Sequence, residues 1–184
     1  MTMQKYGAVF ACLLFAAPAF AQSTAEKTGI NSVTGVSPST PDFVTEAAMS
    51  DMLEIQESQL AADQGDAATK KFASKMVTDH TKTSTELKGL LPSGMTAPAA
   101  LDSTHQQELD KLKGLSGADF DKQYRSDQVS AHKSAVSLFR RYAKGGDDAS
   151  LKSWAGKTLP TLQGHLKMAQ DLDKNADLKK KPTS

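Results

Sequence analysis

The chain has 184 residues, with 22 basic and 21 acidic side chains and a formal net charge of +1. A balance so near zero gives no global field for a nucleic-acid backbone or an anionic membrane, so neither is an expected partner. The single cysteine, Cys12, lies in the leader described next, which leaves the remaining chain without disulfides or thiolate chemistry.

Lys5 supplies a positive start, Gly7 to Pro18 an apolar run, and Ala19-Phe20-Ala21 a small-x-small cleavage motif before Gln22. Residues 1–21 are therefore expected to form a cleaved signal peptide, placing the protein in the periplasm or cell envelope. Val9-Phe10-Ala11-Cys12 has the outline of a lipoprotein site, but the apolar run continues past it through Leu13, Leu14 and Phe15. No later stretch approaches the roughly 20 apolar residues of a membrane span.

Residues 22–40 are polar, rich in Ser, Thr and Gly, and aperiodic, which predicts a flexible linker. Thr40-Pro41-Asp42 then reads as a helix start, with a capping hydroxyl, a proline in the first turn and an acid facing the helix dipole. The first long helix is predicted to run to about Asp63, with Phe43, Ala47, Leu53, Leu60 and Ala61 inward. Glu54 follows Phe43 by three turns and lies only about 20° off its line, with Glu46 and Glu57 on the flanks. Gln64-Gly65-Asp66 ends this helix and caps the next.

The second helix, from about Ala67 to Leu90, carries Phe72, Met76, His80, Thr83, Leu87 and Leu90 on one stripe. Leu91-Pro92-Ser93-Gly94 stops it. A shorter helix from about Asp102 to Leu115 offers Leu109, Leu112 and Leu115, while its His105 falls among polar neighbours. The next long helix, Ala118 to Lys144, has Phe120, Tyr124, Ala131, Ala135, Leu138, Phe139 and Tyr142 inward, with Gln128 and His132 in the same arc. Gly145 to Asp148 separates it from a last helix, Ala149 to Lys174. There Leu151, Ala155, Leu159, Leu162, Leu166 and Ala169 share a face with His165, and Pro160 predicts a kink. Residues 175–184, with Lys179-Lys180-Lys181, read as a basic disordered tail.

Alternating β-branched runs are absent, so the fold class is all-α. Four long amphipathic helices and one short one predict an antiparallel four-helix bundle over residues 41–174, with the short helix in the long connection.

Four motifs in order carry a resemblance. They are Phe72-Ala73-x-x-Met76-Val77-x-Asp79-His80, Phe120-Asp121-x-x-Tyr124, His132, and Leu159-Pro160-x-Leu162-x-x-His165-Leu166. Over about Asp42 to Leu172 the chain resembles the exported bacterial ferritin-like domain of unknown function 4142 family, known as outer-membrane or periplasmic proteins. The resemblance implies a ferritin-like bundle in the cell envelope and brings no activity with it.

Glu54, His80, His132 and His165 come from four different long helices, and bundle cores are where such folds build metal sites. Three imidazoles and a carboxylate suit a single transition metal such as zinc, iron, manganese or copper. Against this stands the favoured reading, that each histidine simply hydrogen-bonds a neighbouring carbonyl, Tyr124, Gln128 or a carboxylate. Periodicity places all four groups on inner faces but not at one height along the bundle. The Glu-x-x-His spacing of ferritin-like di-iron sites is missing, because Val77, Val129 and Leu162 stand three residues before the histidines. Asp79 and Asp121 read as surface ion pairs or caps, with Asp79 a possible outer partner of His80. Phosphate loops, nucleophile elbows and paired-cysteine motifs are absent, and the methionines form no copper-handling tract. The expected function is a non-enzymatic, stress-related helical-bundle protein of the cell envelope with a His/Glu metal site. The alternatives are a metal-dependent oxidoreductase or metal-storage protein, and a module binding a protein partner through an exposed helix face.

Overall fold

The computed structural model describes residues 23–24 and 30–180, so the expected signal peptide, residues 1–21, and residues 181–184 lie outside the described residues. Six helices follow in order: α1 (Ile30–Thr34), α2 (Thr40–Gln64), α3 (Ala67–Gly89), α4 (Ser103–Lys113), α5 (Gly117–Gly145) and α6 (Ala149–Lys180). The described residues contain no strand, and none of their helices is long and apolar enough to cross a membrane.

Two helical hairpins make the body. α2 packs along α3 and α5 along α6, and the hairpins meet mainly through α2 with α5 and α3 with α6. Each hairpin turn is tight for the same reason. A Cβ on Gly65 would come within 2.7 Å of the Ala61 carbonyl and the Thr69 methyl. One on Gly146 would meet the Tyr142 ring and carbonyl at 2.7 Å. Asp66 caps α3 by accepting the Thr69 N–H at 2.8 Å, and its own N–H donates to Asp121 Oδ1 at 3.0 Å. Asp121 thus ties the first hairpin's turn to α5 rather than making a surface ion pair.

Several boundaries differ from the sequence reading. The α2 cap is Ser39, whose Oγ accepts the Asp42 N–H at 3.3 Å. Thr40 is instead buried, and its hydroxyl joins Tyr142 and Asp147 at the opposite turn. The predicted flexible linker contains α1 and rests on α5, through Arg141 donating to the Val36 carbonyl at 2.8 Å and Ser32 meeting Ser137 at 3.1 Å. α6 runs to Lys180, so the first residues of the expected disordered tail are helical; Ala176 and Leu178 favour a helix, and the next proline is Pro182. Pro160 sits inside a helix that continues on both sides of it.

The core is divided. Towards the α5–α6 turn, Phe43 stacks on Tyr142 at 3.9 Å between centroids and meets Phe139 and Trp154 edge-on, with Leu87, Leu138, Leu151 and Leu162 around them. Towards the α2–α3 turn, a second cluster joins Ala61, Phe72, Met76, Leu112, Phe120, Tyr124 and Ala169. Between the two clusters every long helix turns polar on its inner face: Asp51, Glu54, Glu57 and Ser58 on α2, His80 on α3, Gln128 and His132 on α5, His165 on α6. Gly146→Ala should lower thermal stability by about 1–3 kcal/mol, because the added methyl must displace a ring held by Phe43 and by hydrogen bonds. Circular-dichroism melting checks this, and an unchanged midpoint would mean the turn can shift freely.

Candidate metal centre

The polar layer lies half-way along the hairpins, where inward-pointing side chains from four helices meet at one height. His80, His132 and His165 are each no more than 2% exposed. Their ring centroids stand 5.5, 5.5 and 5.4 Å apart, a nearly equilateral triangle. One ring nitrogen from each lies within 4.8 Å of the other two. Three points so spaced lie no more than about 2.8 Å from a common centre, against metal–nitrogen bonds of about 2.0–2.1 Å. Each ring has less than about 1 Å to move.

The hydrogen bonds decide which nitrogens are free. His80 Nδ1 donates to Asp51 Oδ1 at 2.8 Å, and Thr83 donates to the other Asp51 oxygen at 2.9 Å. His132 Nδ1 donates to the Gln128 carbonyl at 2.8 Å. His165 Nε2 donates to Asp79 Oδ2 at 2.7 Å, and Lys75 holds the same oxygen at 2.7 Å. The remaining nitrogens, His80 Nε2, His132 Nε2 and His165 Nδ1, are buried and have no hydrogen-bond partner. An outer carboxylate or carbonyl on one nitrogen, with a bare lone pair on the other, is how proteins present histidine to a metal.

The electrostatics favour the neutral form for two of the three rings and oppose it for His80. Burial drives the His132 pKa down to about 4, helped by the neighbouring His80, against the pull of the Gln128 carbonyl. Burial likewise takes His165 to about 4 despite Asp79. Both rings are neutral at pH 7, as ligands must be. Burial also opposes charge on His80, but the Asp51 hydrogen bond and the nearby Glu54, Asp51 and Asp79 charges outweigh it and raise its pKa.

Glu54 stands beside this triangle rather than in it. It is 2% exposed, and its Oε1 lies 3.8 Å from His132 Nδ1, the nitrogen already given to Gln128. Its Oε2 has no partner. Burial raises its pKa, with His80 and the Gln128 amide acting against the rise. Of the four groups singled out in the sequence, the structure brings three into one cluster and sets the fourth against its edge. Glu57, one turn on, is also 2% exposed and has its carboxyl pushed up to about 9 by burial and by Glu54.

Asp51 was missed in the sequence, since it reads as one more polar residue on the flank of α2. Asp79 proves to be an outer partner, but of His165 across the bundle rather than of adjacent His80. The fourth histidine, His105, stays on α4 with Asp102 as its partner at 2.8 Å, remote from the cluster in role. A groove of about 550 Å³ between α3 and α6, lined by Asp79, Thr83, Trp154 and Thr158 among others, reaches these outer partners from the surface.

The family described as Domain of unknown function (DUF4142) matches residues 25–172 of the chain. No curated protein and no solved structure matches it.

Proposed function

Starting from the fact that the chain belongs to the DUF4142 family, whose description assigns no activity, we propose that it is an exported, non-enzymatic metal-binding protein of the cell envelope. Its two hairpins form a ferritin-like four-helix bundle that holds one transition-metal ion on His80, His132 and His165. Glu54 is the carboxylate at hand to complete the set. One observation carries the reading: three buried imidazoles from three helices bring a ring nitrogen each within 4.8 Å of the other two, and every ring has one nitrogen held and the other without a partner. A purely structural role explains the held nitrogens and leaves the bare ones unpaid for, since a buried lone pair without a partner costs about 1–3 kcal/mol. Zinc, iron(II), manganese and copper all accept such donors, and three imidazoles favour the later metals of that series. Export is supported by Lys5, the apolar run Gly7 to Pro18 and the Ala19-Phe20-Ala21 motif.

The test is direct. The purified protein, dialysed against each of the four metals in turn, should retain one equivalent of zinc or copper per chain, and its amino terminus should be Gln22. No stoichiometric retention of any of them would end the metal reading; an amino terminus still carrying the leader after export would end the cleavage reading.

A second reading, a metal-dependent oxidoreductase or a storage protein, draws on the position of Glu54. Three protein nitrogens with the carboxylate outside the group resemble catalytic centres that keep a coordination position for a small ligand. Azide binding by a cobalt(II)-substituted protein, seen as a change in its visible spectrum, would favour this reading; a spectrum indifferent to azide would favour the closed site.

A further inference from the structure

The triangle does not account for everything the polar layer leaves unpaired. Beyond it, on the side facing the α2–α3 turn, Glu54 Oε2, Glu57 Oε1 and both amide atoms of Gln128 are buried without a hydrogen-bond partner. Gln128 is 0% exposed, and the N–H side of its amide lies near enough to both carboxylates to favour their ionised forms, so the amide must turn to offer its oxygen to a cation there. Native interiors pair nearly all such atoms, and a set of orphans converging from two helices calls for a partner. Hydrophobic side chains close the layer above and below, with Phe43 and Leu87 on one side and Tyr124 and Met76 on the other. The donors here are all oxygens, whereas the triangle offers only nitrogens.

We infer that Glu57, the amide oxygen of Gln128 and the free oxygen of Glu54 form a second cation site, selective for a hard divalent ion. Two carboxylates match the charge of such an ion, and carboxylate with carboxamide oxygen is the donor chemistry of Mn²⁺, Ca²⁺ and Mg²⁺ rather than of zinc or copper. Spacing on the helices supports it: Glu54 and Glu57 are three residues apart on α2 and so share a face. Further acids stand near. Asp127, half-buried on α5, and Glu108, exposed on α4, are near enough for Glu57 to feel their charges. Both add negative potential on this side of the layer, which raises the local concentration of cations. Glu54 is shared with the nitrogen site, but Glu57 and Gln128 are not, so this inference does not depend on the triangle holding a metal.

The experiment titrates the purified protein with Mn²⁺ after loading with one equivalent of Zn²⁺, reading bound manganese by electron paramagnetic resonance and equilibrium dialysis. One Mn²⁺ per chain is expected, displaced by Ca²⁺ or Mg²⁺. Glu57→Gln should weaken it by at least about a hundredfold, the upper end of what even an outer partner's loss costs a metal site, with zinc retained. Gln128→Glu, which adds a third carboxylate, should tighten it, and so tests the site with the opposite sign should Glu57→Gln fold poorly. Manganese uptake without zinc uptake would support this site while ending the nitrogen reading. The inference is overturned if none of the three ions binds stoichiometrically, or if Glu57→Gln binds manganese as the wild type does.

Discussion

Alanine in place of His132 is expected to weaken zinc binding by about two to three orders of magnitude, with the helical content of the protein unchanged. Structural zinc sites with four ligands carry about 10–16 kcal/mol, hence about 3 kcal/mol per ligand, and each 1.4 kcal/mol is roughly tenfold in affinity. His132 is the member whose tautomer is least negotiable. Its Nδ1 faces a backbone carbonyl, which can only accept, so the lone pair must sit on Nε2. His80→Ala and His165→Ala should match it. Asp51→Asn should do less, about 10–100-fold, because the imidazole stays while its orientation and tautomer loosen. His105→Ala is the control and should change nothing, since that ring is engaged with Asp102 on α4. Competition against a chromophoric chelator gives these affinities, and His132→Ala binding zinc like the wild type would remove the triangle from the site.

Glu57→Gln is expected to stabilise the metal-free protein, and increasingly so as pH rises. The carboxyl titrates at about 9 in the folded chain against an ordinary value of 4.5, chiefly through burial and then through Glu54, Asp127 and Glu108. Between those two values the folded chain keeps a proton that the unfolded chain has released. Stability contributed by this group is therefore complete below about pH 4.5 and is lost as pH climbs through about 9. At about 1.4 kcal/mol per pH unit, less the cost of a buried glutamine amide without partners, the variant should gain on the order of 3 kcal/mol at pH 8. His132 and His165 slope the other way. With folded values of about 4, they lose stability as pH falls from 6.5 towards 4. The metal-free wild type should thus lose stability as pH rises above neutral, through Glu57 and also through Glu54 and His80, whose pKa values are likewise raised, and that decline should be shallower in Glu57→Gln. Urea unfolding in chelator at pH 5, 7 and 8.5 checks this, and parallel wild-type and variant curves between pH 7 and 8.5 would contradict it.

The two expectations are linked through the division of the core. A layer of buried acids and imidazoles sits between two apolar clusters and costs the empty fold stability, which a bound cation returns. Stability and binding should therefore move in opposite directions at Glu57 and together at Gly146, which lies in the remote turn. A variant in the layer that became both more stable and tighter for manganese would break that connection; Gln128→Glu should bind manganese more tightly and be less stable without it.

Much of this architecture is written in the period of the apolar residues. Phe43, Met76, Phe120, Leu151 and their partners repeat at the helical spacing, and caps and glycine turns punctuate them, so the helices fall within a few residues of their expected ends. Two ends depart from expectation for different reasons: the cap moves to Ser39 through a tertiary contact, whereas α6 extends to Lys180 through the local preference of Ala176 and Leu178. Thr40 is a competent cap but is drawn away by Tyr142 and Asp147. A signal for the site was also present: on each long helix the inner stripe turns polar near mid-length, at Glu54, His80, Gln128 with His132, and His165. Counted from Gly65 and Gly146 these positions lie roughly 11 to 19 residues out at about 1.5 Å each, which already brings them towards the middle of the bundle.

What the sequence determined by itself, then, is the set of helices, their inner faces and the identity of three imidazoles among the inward residues, because these follow from short-range periodicity. Only the tertiary structure decided that the three rings meet, that Asp51, the Gln128 carbonyl and Asp79 occupy one nitrogen of each, and that Glu54 stands at the edge of the group. Those facts depend on the register between hairpins, which is fixed by long-range packing of the aromatic cluster at one end and the Asp66–Asp121 contact at the other. A helical period carries no information about that register.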